Sequence, residues 1–153
     1  MSFNFDEALD VKTDSVEKPP TLPQGNYIWK VSKLPTQNTS KSGEWAIIEF
    51  PLVCVDATDD VDPDELAAFG DVSSAFNRIS FMCPTDPTKQ TEVDRMLYNV
   101  KQFCENTLRA EGETLKELIA NSVHCQFIAT ASWRDSDDGT NTYVDVKSPA
   151  PLD

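Results

Sequence analysis

A single histidine, His124, supplies all the imidazole in this chain of 153 residues. A Ser/His/Asp or Cys/His device would have to be built on it, yet it sits in an alternating, strand-like stretch where a packed or exposed histidine is the ordinary outcome. Glycine is scarce as well, at five residues. None falls in a Gly-x-Gly-x-x-Gly, Gly-x-x-x-x-Gly-Lys or Gly-x-Ser-x-Gly pattern, the motifs that cradle phosphate or expose a nucleophile. Cys54, Cys83, Cys104 and Cys125 include no Cys-x-x-Cys pair, so the close ligand spacing of a zinc site is missing. Buried thiols in a reducing compartment are the expectation. Asp59 to Glu65 lacks the glycine and the terminal-glutamate spacing of a calcium loop. Asp135-Ser136-Asp137-Asp138-Gly139 also lacks the closing glutamate and is explained by turn chemistry. No catalytic activity, cofactor or metal is therefore expected. No apolar run approaches the roughly 20 residues that span a bilayer, and the N-terminus lacks the basic start and apolar stretch of a secretory signal. A cytoplasmic protein with no membrane partner follows.

What the chain has in excess is negative charge, −13 at pH 7. That charge is unevenly spread. Asp56, Asp59, Asp60, Asp62, Asp64, Glu65 and Asp71 fill one segment without a Lys or Arg, and Asp6, Glu7, Asp10, Asp14 and Glu17 add to the N-terminal end. Between Thr21 and Val55 the balance reverses, with Lys30, Lys33 and Lys41 against Glu44 and Glu49. Whole-molecule charge opposes a polyanion at long range, but a locally positive groove on an acidic body does not.

The pattern reads as mainly β. Residues 1–22 form an acidic, flexible arm closed by prolines, residues 23–147 one domain, and residues 148–153 a short tail. Tyr27 to Leu34 is rich in aromatic and β-branched residues and reads as a first strand, followed by a long polar hairpin tip from Pro35 to Gly43. Trp45 to Val55 is a second strand, with Pro51 demanding an edge position or a bulge. Val72 to Met82 is a third. Val93, Met96, Leu97, Val100, Cys104 and Leu108 then recur at helical spacing, and Thr114 with Glu117 opens a second helix through a capping-box pattern. Val123 to Trp133 and Thr142 to Lys147 close the order as strands four and five, around a polar tip at Arg134–Asn141. Three strands, a helical segment and two strands is the chain order of the OB fold, a five-stranded, partly open barrel whose two flanking loops border a ligand groove.

Particular stretches carry a resemblance. Leu22-Pro23-Gln24-Gly25-Asn26-Tyr27 entering a strand, Trp45-Ala46-Ile47-Ile48-Glu49-Phe50 after a polar turn, the opening Phe3-Asn4-Phe5-Asp6-Glu7-Ala8, and Leu118 to Val123 entering a later strand together resemble phage-encoded single-stranded-DNA-binding proteins. The resemblance implies an OB-type barrel, a role in phage DNA replication, recombination or repair, and residence in the host cytoplasm. It also implies single-stranded DNA and replication or recombination proteins as partners, with homo-oligomerisation left open. Better-known members carry a long acidic C-terminal tail; the short one here makes recruitment through such a tail unexpected.

Single-strand binding needs aromatic faces for bases and cations for phosphates. Trp29, Trp45 and Trp133 lie near turn edges with Lys30, Lys33, Lys41 and Arg134 close in sequence, and the third strand adds Arg78 and Phe81. These nine are the expected nucleic-acid-binding residues, although each ring is individually a core candidate. Tyr98, Phe103, Lys101 and Arg95 are candidates for a protein-contact face. The competing class is an acidic protein-interaction module, either a DNA mimic or a structural virion component. Convergence of the cations on one groove would separate the two.

Overall fold

The computed structural model describes residues 4–13 and 20–152. They form a mainly β protein with a six-stranded antiparallel sheet and four α-helices. The strands are β1 (Gly25–Val31), β2 (Thr36–Thr39), β3 (Trp45–Ala57), β4 (Phe76–Pro84), β5 (Gln126–Asp135) and β6 (Thr142–Pro151). They lie in the order β2-β3-β1-β5-β6, with β4 on the far side of β3. β4 and β6 are therefore not joined by a ladder. The helices are α1 (Phe5–Leu9), α2 (Pro63–Phe69), α3 (Gln90–Gln102) and α4 (Leu115–Asn121).

Six strands replace the expected five because the first strand is broken. β1 pairs with residues 52–57 of β3, and β2 pairs with residues 46–49 of the same strand. The gap falls opposite Pro51, whose carbonyl accepts from the Ser32 amide at 2.9 Å. In an antiparallel ladder the N–H and C=O of one residue point to the same neighbour, so the donor that Pro51 lacks would have faced this break. Pro51 thus lies neither on an edge nor in a bulge of β3. It sits in a central strand, and its neighbour gives way instead. The polar run Thr36-Gln37-Asn38-Thr39 reads as a turn by composition but forms an exposed strand, which shortens the first hairpin tip to residues 40–44.

Two further boundaries move. Val72–Ser74 is a short 3-10 turn, and β4 begins only at Phe76. β6 runs to Pro151 instead of stopping at Lys147, carried past Ser148 and Pro149 by a bulge opposite Ile128–Thr130, with Ser148 at φ 52°. The expected tail is thus mostly strand. Residues 1–3 and 14–19 of the expected arm, and residue 153 of the expected tail, lie outside the described residues. In the rest of the arm, Asn4 Oδ1 accepts from the Asp6 and Glu7 amides to open α1, and Leu22 is buried.

The core fills the inner face of the sheet. Alternation puts Tyr27, Trp29 and Val31 of β1, Phe50, Leu52 and Cys54 of β3, and Phe127, Ala129 and Ala131 of β5 inside. α3 lays Met96 and Val100 on this core, then loosens at its C-terminus into a π-helical turn, Phe103–Thr107. Phe103 plugs the interior, with ring centroids 5.1 Å from Phe50, 5.6 Å from Phe81 and 5.6 Å from Phe127. Such edge-to-face and tilted contacts each add about 0.5–1.5 kcal/mol beyond area burial. Phe103 is therefore core and not part of a protein-contact face.

The acidic segment is partly a set of clamps. Asp60 accepts from the Asn26 amide at 3.1 Å, from Asn26 Nδ2 at 3.0 Å and from Thr58 Oγ1 at 2.6 Å. Those bonds, Thr58 first, hold its carboxyl below the usual carboxylate range. Asp62 caps α2, and Asp71 caps the 3-10 turn. The loop can close because residue 25 is glycine: its φ is +143°, and a Cβ there would meet Val61 Cγ2 at 2.7 Å.

Candidate nucleic-acid interface

The register fixes which side chains share the outer face. Residues directly opposite in neighbouring strands point the same way. Lys30 pairs with Val53, and Val53 with Phe76. Pro51 pairs with Arg78, Thr36 with Glu49 and Glu49 with Ser80, Ile47 with Met82, and Trp45 with Pro84. Across the sheet, Arg134 pairs with Tyr143.

Two of the nine expected residues meet in one cleft of about 490 Å³, lined by Glu49, Phe76, Asn77, Arg78, Arg134, Tyr143, Val144 and Asp145. It lies over the seam between β4 and β6. Asn77 Nδ2 spans that seam by donating to the Val144 carbonyl at 2.8 Å. Arg78 Nη1 donates to Glu49 Oε1 at 3.4 Å, and Arg134 Nε to Asp145 Oδ2 at 3.0 Å. The Arg134 guanidinium also stands 5.1 Å above the centre of the Tyr143 ring, a cation–π contact that holds the ring's face and the charge together. Phe76 is 72% exposed and Tyr143 45% exposed, although both lie in β-strands. Lys30 shares the outer face with Phe76 but is half-buried, two strands away.

The other expected residues go elsewhere. Trp29 is fully buried, 0% exposed, and its indole N–H has no hydrogen-bond partner. It sits on the inner face opposite Cys54 and Phe127 and presents no ring to a ligand, a correction that strand parity alone makes. Phe81 also faces inward, half-buried against Phe50 and Phe103. Trp133 is held at the rim, its Nε1 donating to the Leu22 carbonyl at 2.7 Å, beside Pro20, Glu65 and Ala68. Trp45 is on the outer face but at the opposite end of β4, near Met82, Lys89 and Arg95. Lys33 lies exposed in the break between β1 and β2, and Lys41 at the first hairpin tip. The cations thus do not all converge. Phe76 and Tyr143 escaped sequence reasoning, though Phe76 stands two places before Arg78 and Tyr143 directly opposite Arg134 across a hairpin.

Chemically the cleft offers two aromatic faces, two guanidiniums and two carboxylates. Exposed ion pairs of this kind are worth about 0–1 kcal/mol, so a phosphate can displace Glu49 or Asp145 at little cost. At the nearby β5–β6 tip, Asp138 accepts from Ser136 Oγ at 2.6 Å, and from the Thr140 amide and hydroxyl at 3.1 and 2.8 Å. These bonds pull its carboxyl down to about 2. Asp138 is thus engaged in its own turn, and among the described residues no His/Cys/Asp/Glu group is arranged to hold a metal ion. No helix among them is long and apolar enough to cross a membrane. No protein-family model and no curated protein matches the chain.

Proposed function

We propose that this protein binds single-stranded DNA without catalysing a reaction, on a five-stranded OB-type barrel whose first strand is split in two. The chain order supports the barrel, with β1 and β2 together as the first strand and α3 between the third and fourth. So does the approach of β4 to β6 through the Asn77–Val144 bond, with Phe103 filling the interior behind the seam. One observation carries the function: Phe76, Tyr143, Arg78 and Arg134 stand exposed around a single cleft. Base stacking on such rings is worth about 1–3 kcal/mol per base, and arginine supplies the phosphate contact. The resemblance to phage single-stranded-DNA-binding proteins supports a place in phage replication, recombination or repair.

Anisotropy of a labelled oligo-dT, read at 50 and 200 mM salt, tests this. Two phosphate contacts, from Arg78 and Arg134, give a logarithmic salt slope of about −1.4, a loss of about sevenfold between those concentrations. No binding at the lower salt would remove the proposal.

A second reading, an acidic protein-interaction module, is favoured by one observation. α2 carries Asp64 and Glu65 in its first turn and no cation in its last. It expects a DNA-handling partner whose capture is competed by DNA, and an Asp64→Asn/Glu65→Gln variant that loses that partner.

A further inference from the structure

Two residues beyond the arginine cleft along both seam strands lies a second cavity, of about 440 Å³. β4 and β6 run the same way, since three antiparallel steps separate β4 from β5 and a fourth leads to β6. Passing from Asn77 to Ile79 and from Val144 to Val146 therefore advances roughly 7 Å in one direction on both walls. That is the reach of one extended nucleotide. The cavity's size suits a nucleoside-sized ligand.

Its lining differs from that of the first cleft. Half-buried Phe81, tilted 48° against the buried Phe103 at 5.6 Å between centroids, gives it an aromatic wall. Asn99, Gln102 and Asn106 line it from α3 and the π-helical turn, and Lys147 from the β6 wall. The Asn106 and Gln102 amides are joined, Nδ2 donating to Oε1. A joined pair leaves one donor end and one acceptor end free, whichever way round the two amides are set. α3 ends in the π-helical turn Phe103–Thr107. Here it turns Phe103 into the core while Gln102 and Asn106 stay at the cavity.

We infer that this cavity takes one adenine base of the bound strand, stacked on Phe81 and read by the Gln102–Asn106 amide pair. Adenine offers an acceptor, N7, beside a donor, N6–H₂, which is the complement of a free amide donor and acceptor. Guanine presents two acceptors on that edge, and thymine one acceptor and a methyl group. A purine also covers more of the phenyl wall than a pyrimidine. The inference rests on the single-strand reading above, and adds base preference at one position to a site that would otherwise be indifferent to sequence.

Two measurements test it. Wild-type protein is expected to bind dA12 about tenfold more tightly than dT12, the lower end of what specific base-edge contacts discriminate. Gln102→Ala is expected to abolish that ratio by weakening dA12 about tenfold. Equal affinity for dA12 and dT12, or a ratio that survives Gln102→Ala, overturns the inference and leaves the single-strand reading intact. Independently, millimolar dAMP is expected to shift the side-chain amide NMR signals of Gln102 and Asn106, with dTMP as the control. Absence of that shift also overturns it. The shift without oligonucleotide binding would keep the base pocket and remove the single-strand reading.

Discussion

Tyr27 and Trp29 on β1 and Phe76 and Tyr143 on β4 and β6 are the same kinds of residue in the same kind of strand, yet they have opposite fates. The first pair is fully buried, with ring centroids 6.1 Å apart, and the Tyr27 hydroxyl donates to the Pro23 carbonyl at 2.6 Å. The second pair stands on the outer face, beside arginines. Only parity separates them, because a strand turns successive side chains to opposite faces. An aromatic next to a lysine in sequence, as Trp29 is to Lys30, is for that reason divided from it by the sheet. An aromatic two places from an arginine, as Phe76 is from Arg78, shares its face. Spacing of two, and not adjacency, puts an aromatic and a cation on one face of a strand.

The strongest way to break this comparison is to truncate one member of each pair. Trp29→Ala should cost about 3–5 kcal/mol of stability, the usual range for an aromatic removed from a packed core. The lost transfer energy and the cavity left beside Tyr27, Cys54 and Phe127 outweigh the relief of deleting the unpaired indole N–H, worth about 1–3 kcal/mol. Tyr143→Ala should stay within about 0.5 kcal/mol, as surface changes do. Urea midpoints at constant m-value measure both. Equal losses would erase the distinction between inner and outer rings.

Next in size is the effect on binding. Phe76→Ala and Tyr143→Ala should each weaken oligo-dT by about 1–3 kcal/mol, on the order of tenfold, with thermal melting unchanged. Trp133→Phe, at the rim, should leave affinity unaltered, because its ring is committed to Leu22 and the preceding segment. A larger loss from Trp133 than from Phe76 would move the site away from the cleft.

Much of the scaffold was legible from the residues. The inward row Phe127, Ala129 and Ala131, the apolar stripe of α3 and the Thr114 cap of α4 all follow from period and capping chemistry. β2 was not legible, because Thr36 to Thr39 is polar on both faces and carries no alternation to read. Nor was the end of β6, since Ser148-Pro149 reads as a stop unless a bulge absorbs it. Of the site, Arg78 and Arg134 were visible as cations, but their meeting is a tertiary event. One lies before α3 and the other after it, and only the approach of β4 to β6 joins them.

A smaller effect separates cations in the cleft from those outside it. Arg78→Gln and Arg134→Gln should each reduce the salt slope of single-strand binding by about 0.7, the share of one phosphate on a single strand. Lys33→Gln and Lys41→Gln should leave the slope unchanged, since neither lysine lines the cleft. Affinity measured across a salt series gives all four values. Equal changes for cleft and loop residues would mean a diffuse electrostatic footprint.

The smallest effect sharpens the inner half of the comparison through its thiols. Burial pushes Cys54 and Cys104 up to about 12, while half-buried Cys125 is raised by burial as well. In the unfolded chain a thiol ionises near 8.5. Between that pH and about 12 the folded protein holds protons that the unfolded chain has released, so stability is full below about 8.5 and falls as pH rises through this window. At pH 8 the Cys54 and Cys104 thiols of the folded protein stay protonated and are poor nucleophiles. A disulfide-exchange reagent should therefore modify Cys125 first, and Cys54 and Cys104 only at the rate of unfolding, accelerated by Trp29→Ala. Rapid labelling of Cys54 in the native protein would show that the inner face opens without global unfolding, and the sharp division between buried and presented aromatics would not hold.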